Sequence, residues 1–246
     1  MRTSTVVGYA SNGLDEDLGT VLLTPQFVTT GGAEQQITLG EITPIASGEY
    51  VLTKGDSIDA QVVDNSGFTV EAQWYVWNGT GWVYSKKKYG TDANSVILTP
   101  GETLMFGCGV DKLEATVRLQ SAGQVNSTTD IVRDLDTEFG TVLIGNGFPV
   151  VVKFGEISVE PADPTYEMSK GDGIDAQVVD NAGITVESQW YVWNGTGWVF
   201  NKKKYGTDAN NQEMQPGQGF MFGCGTDATT FQLRIAVPET LQGLAK

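Results

Sequence analysis

The chain has 246 residues, 30 acidic against 15 basic side chains, no histidine and two cysteines, giving a formal charge of −15. Its length allows two domains that each bury a core, and 40% hydrophobic content with six tryptophans argues against disorder. Acidity makes nucleic acid an unsuitable partner, and the missing histidine removes serine–histidine and cysteine–histidine nucleophiles and most zinc sites.

At the start, Met1–Gly8 lacks the apolar core of a secretory signal, and no apolar run approaches the roughly 18 residues of a membrane span. A cytoplasmic protein, or an exported one whose signal has been removed, fits that start; high Gly, Thr and Asn content with only 18% charged residues tilts the expectation to an extracellular or cell-surface protein. Val6, Val7, Gly8, Tyr9 and Ala10 form a short strand predicted to add to an exposed sheet edge of another subunit. Further strands are predicted at Thr20–Phe27, Gln36–Ile42 and Glu49–Leu52. Ile58–Asp64 alternates, Asn65-Ser66-Gly67 reads as a hairpin loop, and Phe68–Trp77 alternates again. Asn78-Gly79-Thr80-Gly81 is a second tight turn before Trp82–Tyr89, followed by strands at Glu102–Cys108 and Ala115–Leu119. Asp130–Phe139 has room for one helical turn.

The second half of the chain repeats the first. Lys54–Asn94 aligns with Lys170–Asn210 at an offset of 116, and six of the 41 positions differ. Gly19-Thr20-Val21-Leu22 matches Gly140-Thr141-Val142-Leu143, and Met105–Gly109 matches Met221–Gly225. A period this long marks two domains and not a solenoid. The expected fold is all-β: two tandem antiparallel β-sandwiches, jelly-roll-like, over residues 1–122 and 123–246.

Pairing across the NGTG turn puts Trp77 opposite Trp82 and Tyr75 opposite Tyr84, with Gln73 facing Lys86 in the same series. Pairing Asp64 with Phe68 in the preceding hairpin adds Asp59 to the Gln73–Lys86 row. The second copy gives Trp193/Trp198, Tyr191/Phe200 and the row Asp175–Gln189–Lys202. The opposite face, with Trp74, Val76, Ala60 and Ile58, is then expected to be the buried one. Two roles are open for the aromatic rows. They pack against a second sheet or a neighbouring repeat, the favoured role, or they stack on sugar rings with Asp59, Gln73 and Lys86 bonding hydroxyls.

Lys86–Lys88 and Lys202–Lys204 hold six of the eleven lysines and read as guards of edge strands. Cys108 and Cys224 each lie between glycines at a strand end. Buried free thiols are favoured, while a bridge within the chain or between subunits stays open. The carboxylates around Asp56 and Asp59 match no calcium loop, so neither a metal nor a cofactor is expected. Asp59 and Glu71 lie in adjacent rows, and a glycosidase built on such a pair stays open as the third reading, behind a structural protein and a carbohydrate-binding module.

The run Gln215-Pro216-Gly217-Gln218-Gly219-Phe220-Met221-Phe222, after Met214, and the opening Gly140-Thr141-Val142-Leu143-Ile144 resemble a pattern in uncharacterised exported bacterial surface proteins. Their tandem β-repeats end in L-x-P-G-x-G-aromatic-aromatic. The first copy departs from the pattern at Thr103 and Leu104. The resemblance implies extracellular β-domains without catalytic residues. The expected function is therefore a non-enzymatic structural protein that self-assembles into a surface layer, filament or tube, a homo-oligomer or polymer. A carbohydrate-binding module taking a glycan on the aromatic rows, and a phage or virion component, are the alternatives.

Overall fold

The structure, a computed structural model, describes residues 7–14, 20–28, 36–62, 74–85, 89–108, 116–135, 141–178, 190–201, 205–225 and 229–245. It is all-β and antiparallel, with one short helix, α1 (Glu239–Gln242), among these residues. The first repeat contains β1 (Val7–Gly13), β2 (Thr20–Leu23), β3 (Phe27–Val28), β4 (Ile37–Thr38), β5 (Ile42–Ala46), β6 (Ile58–Val62), β7 (Trp74–Trp77), β8 (Trp82–Tyr84), β9 (Ile97–Leu98), β10 (Leu104–Cys108) and β11 (Val117–Val125). The second contains β12 (Ile131–Leu135), β13 (Thr141–Gly145), β14 (Val152–Lys153), β15 (Ile157–Pro161), β16 (Asp175–Val178), β17 (Trp190–Trp193), β18 (Trp198–Phe200), β19 (Glu213–Met214), β20 (Gly219–Gly223) and β21 (Phe231–Ile235).

In the first repeat a five-stranded sheet in the order β2-β10-β6-β7-β8 faces a sheet centred on β11. β11 pairs with β1 along one side and with β3 and β5 along the other. The second repeat follows the same plan, with β13-β20-β16-β17-β18 against β12-β21-β15. Alternation explains the layers, since every second residue of each strand points to the interior. Along β11, Val117 and Leu119 are buried between exposed Thr116 and Arg118, and along β21 Phe231, Leu233 and Ile235 are buried between exposed Gln232 and Arg234. These side chains meet Leu104, Phe106, Ile58 and Ala60 in the first core and Phe220, Phe222, Ile174 and Ala176 in the second.

The structure departs from the sequence reading at several places. The expected strand Thr20–Phe27 is interrupted at 24–26, and Gln36–Ile42 by a 3-10 turn at Leu39–Glu41. Glu49–Leu52 is irregular and not a strand, and its Tyr50 hydroxyl donates to Asp56. Residues 131–135 of the expected helical turn form β12, because Ile131 and Leu135 each face a β21 partner across a ladder. The polar stretch Ser121–Thr129, where the boundary between repeats is expected, begins within β11, which ends at Val125, and β12 starts at Ile131. Val7–Ala10 pairs with Ser121–Gln124 of its own chain, where β1 takes the place that β12 holds in the second repeat. It is a member of its own sheet and not a spare strand. A further departure is the β6–β7 register. Ala60 faces Tyr75 and Gln61 faces Trp74, three residues away from the expected alignment. A slip by an odd number exchanges the faces of the sheet.

Candidate functional site

The turn between Trp77 and Trp82 forms as the sequence predicts. Asn78 Oδ1 accepts from the Thr80 and Gly81 amides at 2.9 and 3.0 Å, and Gly79 takes φ +101°, a region that glycine enters without steric cost. Tyr75 faces Tyr84 and Trp77 faces Trp82, with ring centroids 5.3 and 5.6 Å apart. In the second repeat Tyr191 faces Phe200 and Trp193 faces Trp198, at 5.4 and 5.5 Å.

The cross-strand pairs are as expected, but they point inward. Trp82 and Trp198 are fully buried, and Tyr75, Trp77, Tyr191 and Phe200 are buried beside them; Tyr84 and Trp193 are half-buried against the same cores. Each central indole also reaches the opposite sheet: Trp82 Nε1 donates to the Ile42 carbonyl at 2.7 Å and Trp198 Nε1 to the Ile157 carbonyl at 2.9 Å. Burial raises the Tyr75 hydroxyl to about 12, and it raises Tyr191 as well. The rows are therefore the clasp between sheets and offer no platform to sugar rings. Trp74, expected in the core, is half-buried on the outer face.

The row Asp59–Gln73–Lys86 does not form through Asp59, which faces Val76 and Gly107; Asp175 likewise faces Val192 and Gly223. Both carboxyls share the outer face with Gln61 and Gln177. Burial pushes both above the usual carboxylate range, opposed by bonds from those glutamines and from the Gly107 and Gly223 backbone. Val6, Gln73, Lys86, Gln189 and Lys202 lie outside the described residues. Cys108 and Cys224 are buried and not joined in a disulfide. Among the described residues no group of three or more His, Cys, Asp or Glu is placed to hold a metal, and no helix is long and apolar enough to cross a membrane.

A feature that sequence reasoning missed is the seam between the repeats. Register makes Thr24 and Thr103 the counterparts of Gly145 and Gly219, since Leu23 faces Leu104 as Ile144 faces Phe220. At the seam the four meet. Leu23 bridges to Gln218 and Ile144 to Glu102. The Thr24 amide donates to the Gly217 carbonyl at 2.9 Å, and the Gly145 amide to the Gly101 carbonyl at 3.1 Å. These contacts are related by a pseudo-two-fold, and the side chains break it. Thr24 and Thr103 share a buried hydroxyl bond of 2.6 Å and occupy the space that β-carbons would need at Gly145 and Gly219. Thr103 is one of the two departures from the repeat motif, so the alignment held the signal without its meaning.

A groove of about 350 Å³ lies beside the seam, lined by Ser11–Gly13, Val21–Leu23 and the Gln215–Gly219 turn. On the pseudo-equivalent side, Ile131 and the stem of Arg133 lie against Gly101. Ala10 and Asn12 hold those positions in the first repeat, and at Gly217, the counterpart of Gly101, Gln26 and Leu23 fill the equivalent place.

Comparison with known proteins finds no matching family model, curated protein or solved structure. What fold and site define is a class: a tandem β-sandwich protein whose two units are joined by an asymmetric seam.

Proposed function

We propose that the chain is a non-enzymatic structural subunit that self-assembles outside the cell, in a surface layer, filament or tube. The observation that carries this reading is the seam. Two sandwiches joined by backbone bridges, paired amide bonds and interlocking Thr and Gly positions make a fixed building block, where a pair of independent binding modules would be tethered loosely. The inward turn of the aromatic rows adds to it, since the chain spends its tryptophans Trp82 and Trp198 on cohesion. Negative-stain electron microscopy of the purified chain tests the proposal. Ordered polymers or sheets are expected; dispersed monomers at every concentration, salt and pH tried would reject it.

A ligand-binding reading keeps one support, the polar groove, where Asn12, Gln215 and Gln218 stand beside Ser11. Amides and a hydroxyl suit a neutral, hydroxyl-rich ligand such as a glycan. Asn12→Ala with Gln218→Ala should then remove binding on a glycan array, and a flat response of the parent chain would dismiss it.

A further inference from the structure

Edge strands of soluble sheets are usually blunted by charge, proline, bulges or covering segments. β8 and β18 obey this rule: Tyr84 donates to the Thr91 carbonyl and Ala93 to the Trp82 carbonyl, with Phe200–Thr207 and Ala209–Trp198 repeating the arrangement. β5 contains Pro44, and β15 ends in Glu160 and Pro161. β12 carries Arg133 and Asp134 in mid-strand, and Asp130 beside it pairs with Arg234 at 3.5 Å.

Among the described residues β1 shows none of these devices. Its sequence, Val-Gly-Tyr-Ala-Ser-Asn-Gly, holds neither charge nor proline, and among the described residues no strand pairs with its outer edge. Val7 and Tyr9 are 63% and 62% exposed on one face. That face, continued over Gln120, Ala122 and Gln124 of β11 and Thr43 and Ile45 of β5, carries Arg118 as its sole charge among the described positions. The matching face of the second repeat carries Asp134, Glu160 and Arg234. For two copies of a chain with net charge −15, the face without carboxylates is where approach meets least repulsion.

We propose that β1 pairs antiparallel with β1 of a second copy, joining two first-repeat sheets into one. The Ser11 carbonyl already accepts from Arg118 Nη2 at 2.8 Å, which leaves Val7–Ala10 as the pairing segment. A two-fold axis at Gly8 sets each exposed Val7 opposite Tyr9 of the other copy, a β-branched–aromatic pair of the kind that stabilises antiparallel ladders. The contact is isologous and closes on itself, so it supplies a dimer as the unit from which larger assemblies grow. This inference rests on the self-assembly reading and names its first contact.

Sedimentation velocity of the full chain over a concentration series tests it, with Tyr9→Lys, Val7→Lys and, as control, Val132→Lys on the equivalent strand of the second repeat. All three positions are exposed, and thermal unfolding monitors that each variant keeps its fold. The parent and Val132→Lys should dimerise alike, while each β1 variant raises the dimer dissociation constant at least tenfold, a change of about 1.4 kcal/mol. Dimers unaffected by both β1 variants would overturn this contact and leave the self-assembly reading standing. A parent chain that stays monomeric throughout would overturn both.

Discussion

In the first repeat, Trp82 donates to Ile42 and stands edge-on to Trp77 and Phe106; in the second, Trp198 donates to Ile157 and stands edge-on to Trp193, Phe154 and Phe222. The interiors follow one plan. The borders do not: Thr24 and Thr103 stand where the second repeat has Gly145 and Gly219, and uncharged β1 stands where it has β12 with Arg133 and Asp134. The difference teaches that a repeated chain keeps the chemistry that closes each sandwich and varies the chemistry that meets a neighbour. One border makes the seam within the chain, and at the other no strand among the described residues pairs with the outer edge of β1.

The sharpest way to break this comparison is to remove the shared part. Trp82→Ala and Trp198→Ala should each cost about 3–5 kcal/mol in urea unfolding, because each leaves a cavity between sheets and frees a buried carbonyl. A repeat that tolerates the loss would show that the two interiors are not equivalent.

A smaller effect belongs to the seam. Gly145→Thr puts a β-carbon onto Thr24 Oγ1 and should cost about 1–3 kcal/mol by overpacking. Adding Thr24→Gly should recover part of that loss in a double-mutant cycle, whereas strictly additive losses would remove the interlocking account.

The smallest effect concerns the outer faces. Asp59 and Asp175 have raised folded values, so the stability tied to their protonated forms is fully present below the ordinary carboxylate value near 4. It is lost as pH rises through the raised folded values. Asp59→Asn and Asp175→Asn should therefore flatten the stability–pH curve in that window and stabilise the chain above it. An unchanged slope in urea unfolding across pH 3–7 would contradict the burial of these carboxyls.

Much of this fold was legible in the residues. The NGTG turn chemistry and the alternation around it give the Trp77/Trp82 and Trp193/Trp198 pairs without coordinates. What the pattern left open was which face looks inward, because β7 alternates between two apolar series: Tyr75 and Trp77 on one side, Trp74 and Val76 on the other. The choice turned on the β6–β7 register, and the assumed Asp64–Phe68 pairing displaced it by three residues. The start of the chain misled for a related reason. Val7–Ala10 lies outside the best-matched part of the repeat, yet it pairs with β11 as β12 pairs with β21, an equivalence carried by register and not by sequence likeness. The seam escaped because threonine against glycine reads as ordinary variation until the two positions face each other.

Amide hydrogen exchange, followed along the chain at low and high protein concentration, tests the central claim most directly. The amides of Val7–Ala10 should slow as copies associate, while those of Ile131–Leu135 hold their rate. Equal rates at both concentrations in an associating sample, or protection confined to the second repeat's edge, would contradict the account.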